Sequence, residues 1–386
     1  MAEHEKQAVN TAPADVEVGS AEDVEAVMKK YDRESNVRIW TGFPARLVRY
    51  GMALFMLTMI WVSMFSTAEG SVRRCFFLGI VLAFVFIMYP IKKNMKLKPN
   101  HIPIYDVVLL VVAVGVYFYQ IIFKEELIAM GRRIGTPQII IGIIAILVLV
   151  EACRRVVGIP IIIVAAAFVA YTLLPMGADK PLQGTIYNLV YTTNGIIGTP
   201  IQVCSTYIFL FVLFGSFLEA TGIAAFFIDC ANSIAGAATG GPAKVAVISS
   251  ALCGMVSGSS VGNTVTTGSV TIPMMKKTGY KPEFAGAVEA AASTGGQIMP
   301  PIMGAAAFLM AEFTGEPYGT IAMRAILPAV LYFTGIYIAV HLEAKKLGLK
   351  GIPREQLPRV RQLLPKIYLL APLVLLVVMV STNMYT

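Results

Sequence analysis

Long apolar runs separated by short polar or basic loops make up most of this chain of 386 residues. Several runs approach the roughly 20 residues that a helix needs to cross the hydrocarbon core of a membrane. We predict spanning helices at residues 48–65, 75–89, 104–123, 139–150, 159–174, 207–218, 321–340 and 367–380, with shorter apolar segments around 223–235. The pattern predicts an all-α polytopic membrane protein with about nine to eleven spanning or re-entrant helices.

The apolar pattern is interrupted between residues 175 and 205, where the amphipathic segment IYNLVYTTNGIIG lies in a loop-like stretch. Such a segment is typical of a helix that lies in the membrane interface. Gly, Ala, Ser and Thr become much more frequent afterwards, so we place a domain boundary near Gln202. This divides the chain into a polar cytoplasmic N-terminal tail (1–46), a first membrane domain (47–201) and a second one (202–386).

The charge distribution indicates membrane topology. The chain is 56% hydrophobic and 14% charged, with a formal net charge of +8. Its lysines and arginines lie between apolar runs instead of forming one patch, which argues against a nucleic-acid partner and for membrane lipid. Basic residues precede the first span and recur at 92–98 (KKNMKLK), two spans later, so we expect both on the cytoplasmic side, together with the N-terminus.

Catalytic and metal-binding motifs do not stand out in the sequence. The five cysteines and three histidines lack the spacing of a zinc site, a redox pair or a disulfide framework. Ser-His-Asp, HExxH, Walker and GxGxxG patterns are missing from any suitable context. We therefore expect no cofactor and no enzymatic activity, and an integral-membrane enzyme is the least supported alternative.

A first helix break is predicted within residues 257–267, SGSSVGNTVTT. Its hydroxyls, the Asn263 amide and the carbonyls freed by glycines are hard oxygen ligands, which suit alkali or alkaline-earth cations. Irregular backbone at membrane depth is tolerated where it lines a cavity, so we interpret the segment as the tip of a re-entrant hairpin. The alternative is close helix packing through small residues, with the hydroxyls bonded back to their own helix.

A second break is predicted within residues 293–303, STGGQIMPPIM. Two adjacent glycines and two adjacent prolines remove several helical hydrogen bonds from one apolar segment. Discontinuous helices of this kind build the binding sites of secondary transporters. A kinked packing helix is the alternative interpretation.

Glu289 lies between the two breaks in the apolar segment AGAVEAAAS. An ionisable side chain at membrane depth is a candidate functional group. The competing hypothesis is a buried structural partner of Lys244 or Lys276.

Taken together, SGSSVGNTVTTGSVTIPMMKKTGY and AGAVEAAASTGGQIMPPIMGAAAFLMAEFTGEPY closely resemble the permease of tripartite ATP-independent periplasmic (TRAP) transporters. They look most like the TAXI branch, in which the small and large membrane subunits are fused. The resemblance covers about a hundred positions. Upstream, residues 47–201 resemble the small-subunit scaffold in layout only.

The resemblance implies a sodium-driven importer of organic acids in the bacterial inner membrane, served by a periplasmic solute-binding protein. It also implies an elevator mechanism, in which a transport domain moves against a scaffold. Sodium ions would be the coupling ions, bound by Ser257, Ser259, Asn263 and Gly295. The full set of substrate- and ion-binding residues that we predict is Ser257, Gly258, Ser259, Ser260, Asn263, Thr264, Thr267, Glu289, Gly295, Gly296, Gln297, Pro300 and Pro301.

One departure from that family concerns the second membrane domain. The family's large subunit contains two inverted repeats, each with a hairpin and a broken helix, whereas this sequence shows one such set. We therefore expect an N-terminal fragment of a longer fused permease, or a second chain that supplies the other repeat. A symporter or channel that needs no binding protein, and a non-transporting scaffold subunit, are the functional alternatives.

Overall fold

The computed structural model describes residues 37–67, 69–92, 99–173 and 181–382, and most of the predicted N-terminal tail lies outside them. Within these ranges the backbone forms helices and irregular connections, without any strand. Six of the described helical segments are long and apolar enough to cross a membrane: Gly42–Phe65, Gly70–Met88, Ile104–Ile122, Thr199–Ala220, Tyr318–Lys346 and Arg354–Met379. The protein is an all-α polytopic membrane protein, as the apolar pattern predicts.

The chain folds into two compact units that divide between Thr206 and Tyr207, close to the predicted boundary near Gln202. The roles assigned to the two parts stay predictions. The described helices of the first unit are α1 (Gly42–Phe65), α2 (Gly70–Met88), α3 (Ile104–Ile122), α4 (Lys124–Met130), α5 (Thr136–Val156), α6 (Ile159–Thr172), α7 (Pro181–Ile186) and α8 (Thr199–Val203).

The core of the first unit is apolar and lies where α2, α3 and α5 pack together. Its buried residues include Phe86, Tyr117 and Val148, one from each helix. Aromatic contacts extend this packing, since the rings of Phe76 and Phe118 lie 6.0 Å apart, centre to centre. Each of these three helices thus buries a stripe and leaves the rest of its apolar surface outward, as expected of a helix facing lipid.

A buried ion network closes one end of the first unit. Asp106 in the first turn of α3 is fully buried and pairs with Arg38 and, at 2.6 Å, with Arg155. Arg155 also pairs with Glu151 at 2.8 Å. The sequence alone assigned these arginines to membrane topology, and the structure shows that Arg38 and Arg155 are internal partners of a carboxylate.

The same arginines bond to the carbonyls at the end of α2. Arg38 donates to the Phe86 carbonyl oxygen at 2.8 Å, and Arg155 to that of Tyr89 at 3.1 Å. The last carbonyls of a helix have no partner within it, and hydrocarbon supplies none. The side chains therefore satisfy backbone groups that water would satisfy in a soluble protein.

The described helices of the second unit are α9 (Phe209–Ala220), α10 (Ile223–Ala235), α11 (Gly241–Ser257), α12 (Ser260–Thr278), α13 (Pro282–Gly295), α14 (Ala305–Thr314), α15 (Tyr318–Lys346), α16 (Val360–Leu363) and α17 (Ala371–Thr382). Helices α11, α12 and α13 pack against one another, and α15 covers α11 and α13. Their common core is rich in alanine, with Ala246, Ala285 and Ala344 fully buried. Small side chains let the backbones approach closely, which is how helices associate in a membrane.

The prediction of a loop up to residue 205 is wrong at its end, because a helix begins at Thr199. Pro200 stands in its first turn, where a missing N–H group costs nothing and the fixed φ angle favours a helix. The amphipathic segment before it packs on the protein, since Ile186 and Val190 are buried with Ala145 of α5.

Candidate functional site

The first predicted break is a tight turn between two helices. Helix α11 ends at Ser257, Gly258 adopts a left-handed conformation with φ of 60°, and α12 begins at Ser260. The Ser259 hydroxyl accepts a hydrogen bond from the Gly262 amide at 3.2 Å, which caps the new helix. A Cβ atom at position 258 would lie 2.3 Å from the Met303 carbonyl oxygen, so glycine is also needed for space.

The second break is longer. Helix α13 ends at Gly295, a single 3₁₀ turn follows at Gly296–Ile298, and α14 begins only at Ala305. The irregular backbone between them is hydrogen-bonded: the Gly304 amide donates to the Gln297 carbonyl at 2.7 Å, and the Tyr318 hydroxyl reaches the Pro301 and Ile302 carbonyls. The helix is therefore discontinuous, and a kinked continuous helix is excluded.

The two breaks lie against each other. A Cβ atom on Gly254 would stand 2.3 Å from the Cα atom of Gly296, so the two backbones touch there. The Ile302 amide donates to the Met255 carbonyl at 3.3 Å, and the Gln297 side-chain amide to the Ser260 hydroxyl at 3.3 Å. The structure thus brings together two segments that are about forty residues apart in the sequence.

Asn263 lies behind the tips in the protein interior. It is 1% exposed, and its Nδ2 atom donates to the Ser250 carbonyl at 2.8 Å. Ser259 and Gln297, at the tips, are exposed. The candidate site therefore has an open polar mouth and a buried polar floor.

Glu289 forms the centre of that floor and is fully buried. Its Oε1 atom accepts hydrogen bonds from the hydroxyls of Ser250 at 2.9 Å, Ser293 at 3.0 Å and Thr267, and its Oε2 atom accepts one from Thr271. These four donors come from α11, α12 and α13. We call Glu289 and these four residues the hydroxyl cage. Hydroxyl donors satisfy a buried carboxylate without a cation of the protein.

Glu289 is buried and hydrogen-bonded, but neither lysine that we considered is its partner, so the predicted pairing with a lysine is wrong. Lys244 is buried, and its ammonium group lies 5.0 Å from the centre of the Tyr337 ring. Lys276 is exposed. A cation–π contact offers Lys244 a different stabilisation.

The other predicted residues differ in what they contact: some bond to their own helix or pack against a neighbouring one, and one lies beside Asn263. The Thr264 hydroxyl bonds back to the carbonyl of Ser260 at 2.8 Å, as the packing alternative expects. The Thr267 hydroxyl lies 2.8 Å from the Asn263 carbonyl as well as beside Glu289, so its single hydrogen is shared between its own helix and the hydroxyl cage. A Cβ atom on Gly295 would lie 2.5 Å from the Tyr332 ring, so this glycine serves packing against α15. Gly296 is the glycine that lies beside Asn263.

Sequence reasoning missed several contributors, namely Ser250, Gly254, Thr271, Ser293 and Tyr318. Ser293 lies within the second predicted break, and the others lie at positions that flank the two predicted breaks. Their signal was weak, because a serine or threonine in an apolar helix can equally bond to its own backbone.

Comparison with known proteins adds the family context. A family model described as "Tripartite ATP-independent periplasmic transporter, DctM component" matches residues 144–386, well over half of the chain. A relative from Pseudomonas aeruginosa, "C4-dicarboxylate TRAP transporter large permease protein DctM", is 27% identical over 183 residues. That alignment covers 46% of this chain and 42% of the relative.

Two further relatives carry other solutes in their names. "Isethionate TRAP transporter permease protein DctMQ" of Oleidesulfovibrio alaskensis is 25% identical over 289 residues, which cover 70% of this chain and 43% of that protein. "Sialic acid TRAP transporter large permease protein SiaM" of Vibrio cholerae is 26% identical over 144 residues, 37% of this chain and 33% of that protein. This chain thus spans less than half the length of each relative.

Proposed function

We propose that this chain, which belongs to the DctM component family of tripartite ATP-independent periplasmic transporters, is part of a permease that imports organic acids. Its coupling ion is sodium, and a periplasmic solute-binding protein delivers the solute. The observation that carries the proposal is the pair of helix breaks, held together and open at Ser259 and Gln297.

The chemistry of the breaks supports sodium and a carboxylate solute. The tips present hydroxyl, amide and backbone carbonyl oxygens, which are the ligands that hard cations prefer. Helix α12 begins at the tip, so its free amides and positive dipole end favour an anionic group of the solute. The names of the relatives denote organic acids, in agreement with an anionic solute.

We also propose a role for each of the two membrane domains. Residues 202–386 would contribute one repeat of an elevator-type transport domain, with α11 and α12 as a re-entrant hairpin. Residues 47–201 would serve as a fused small-subunit scaffold in the inner membrane, with the N-terminus in the cytoplasm. A second repeat, in the same polypeptide or in another, would complete the solute pathway.

Reconstitution tests the function. The native polypeptide that carries this sequence is placed in liposomes, and uptake of a radiolabelled C4-dicarboxylate is followed with and without a sodium gradient and the cognate binding protein. We expect uptake to require both. Uptake without the binding protein would support the independent symporter or channel, and no uptake under any condition would support the scaffold subunit.

Variants at one tip and at the buried residue behind it test the site. Ser259→Ala and Asn263→Ala remove oxygen ligands, so we expect the sodium concentration for half-maximal uptake to rise about tenfold or more. Ser269→Ala is the matched control, because its hydroxyl bonds back to the Thr266 carbonyl at 3.1 Å within the same helix. An unchanged sodium dependence in the first two variants would contradict the assignment of sodium to Ser259 and Asn263.

A further inference from the structure

A cavity of about 250 Å³ lies inside the first unit, where α2 begins and α3 ends. Its lining includes Cys75 of α2, Gln120 of α3 and Lys124 of α4. Both α2 and α3 are long and apolar enough to span a membrane, so these helix ends lie at the depth of the lipid headgroups. Pockets for drug-sized ligands begin at about 300 Å³, so this smaller space suits a single polar group. We call it the Gln120 pocket.

The buried part of the Gln120 pocket holds an amide with an unused donor. Gln120 is 5% exposed, and its Nε2 atom has no hydrogen-bond partner among the described residues. The other end of the amide is occupied, because the Cys75 thiol donates to Gln120 Oε1 at 3.6 Å. A buried N–H group of this kind calls for an occupant that offers an acceptor oxygen.

The rim of the pocket carries one charge of each sign. Lys124 and Glu69 form an ion pair, and the Ser71 hydroxyl donates to the Glu69 carboxylate at 3.3 Å. Of the lining residues that the structure describes, no other one is charged, so the pocket has no net charge. A ligand with a net charge meets repulsion as well as attraction there, whereas a group that carries both charges finds a partner for each.

The remaining wall is largely apolar and opens outward. Leu127 and Ile197 line the pocket and are buried, while Ile128, another lining residue, is 61% exposed. Tyr187 and Tyr191 also line it, and tyrosines are enriched at the depth of the headgroups. An apolar exit at this depth favours a ligand that joins a polar head to a hydrocarbon tail over a soluble one.

We propose that the Gln120 pocket binds the headgroup of a phospholipid of the phosphoethanolamine type. The phosphate accepts a hydrogen bond from Gln120 Nε2 and lies towards Lys124, and the primary ammonium group donates to the Glu69 carboxylate. A phosphocholine headgroup lacks that N–H donor, and a phosphoglycerol headgroup lacks the positive charge. The site belongs to the first unit alone and depends neither on the solute nor on the coupling ion.

Native mass spectrometry of the purified native polypeptide tests this proposal. The delipidated protein in detergent receives equal amounts of phosphatidylethanolamine, phosphatidylcholine and phosphatidylglycerol with the same acyl chains. We expect one phosphatidylethanolamine per chain, bound about ten times more tightly than either of the other lipids, because each of those lacks a charge-assisted hydrogen bond.

Two variants with different chemistry test the pocket itself. Gln120→Leu removes the amide, and Val72→Phe fills the space at a lining position of α2 while it keeps every polar group. We expect each variant to bind the lipid about ten times more weakly or worse. The matched controls are Gln138→Leu, at a glutamine of α5 outside the lining, and Val111→Phe, at an exposed position of α3. Both should bind as the wild type does.

Equal binding of the three lipids to the wild type would overturn the proposal, and so would wild-type binding in both Gln120→Leu and Val72→Phe. Free phosphoethanolamine that displaces the lipid at equal concentration would also overturn it and assign the pocket to a soluble ligand. Thermal unfolding without lipid guards against a folding defect. Because the amide lost in Gln120→Leu has an unpaired donor, we expect that variant to be as stable as the wild type or more stable.

Discussion

Gly254 and Gly296 meet back to back, so that a Cβ atom added to either residue would lie within 3 Å of the other's Cα atom. The contact joins α11, before the first break, to the turn that follows α13. Both partners are backbone atoms, which cannot rotate away as a side chain can. Glycine at both positions is therefore what allows the two breaks to touch.

Gly254→Ala should force these two backbones apart. We expect a loss of about 1–3 kcal/mol in the free energy of unfolding, the usual effect of overpacking. Gly286→Ala is the control: it lies within α13, and a Cβ atom there would meet nothing within 4 Å, so we expect a neutral effect or a gain of about 0.5–1 kcal/mol. Thermal or denaturant unfolding in detergent compares the two, and equal stability would argue against the contact.

Removal of the carboxylate from the hydroxyl cage should destabilise the second unit. Glu289→Ala leaves four buried hydroxyls without their acceptor, and we expect a loss of about 3 kcal/mol, because some of them can bond back to their own helix. Glu289→Gln keeps one acceptor oxygen and should lose less. Glu283→Ala, at an exposed carboxylate, should stay within about 0.5 kcal/mol of the wild type. A Glu289→Ala variant as stable as that control would show that the cage is not structural.

The ion network around Asp106 predicts a larger effect in the first unit. Asp106→Ala leaves the buried Arg38 without its carboxylate and leaves Arg155 with Glu151 alone, and the loss of one partner from a buried ion pair costs about 3–5 kcal/mol. Glu343→Ala breaks the partly exposed ion pair with Lys346 and should cost no more than about 1 kcal/mol. Unfolding measurements in detergent would give the loss in the free energy of unfolding for each variant. Similar losses for both variants would contradict the buried network.

Tyr318 should hold the second break in its observed conformation. Tyr318→Phe removes the hydroxyl that bonds to the Pro301 and Ile302 carbonyls, so local opening should become easier. We expect the Gly304 amide to exchange with deuterium about tenfold faster. Tyr332→Phe is the control, because the hydroxyl of Tyr332 bonds to the Ala291 carbonyl within α13 and not to the irregular segment. Equal exchange in both variants would show that Tyr318 does not stabilise the break.

The helices and both breaks could be predicted from the sequence because their causes are local. An apolar run of sufficient length predicts a span, and Gly258 among serines and the Pro300–Pro301 pair beside two glycines each disfavour a continuous helix locally. The ends of helices were less predictable. The start at Thr199 depends on Pro200 in a first turn, a weak signal beside the polar residues around it.

The contacts within the site could not be predicted, since they join residues far apart in the sequence. Ser250 meets Glu289 across 39 positions, and Arg38 meets Asp106 across 68. Charge alone favoured a lysine as the partner of Glu289, whereas hydroxyls from three helices satisfy it. Pairing of this kind depends on helix packing, which the apolar pattern does not specify.

The hydroxyl cage has a mechanical consequence. Its bonds fasten α11, α12 and α13 to one another just behind the tips, and the Gly254–Gly296 contact fastens them again nearer the mouth. Two tips clamped in this way behave as a single moving part. In the transport that we propose, a change that exposes the solute to the opposite side of the membrane would then carry both tips along together, with its hinges outside this clamp.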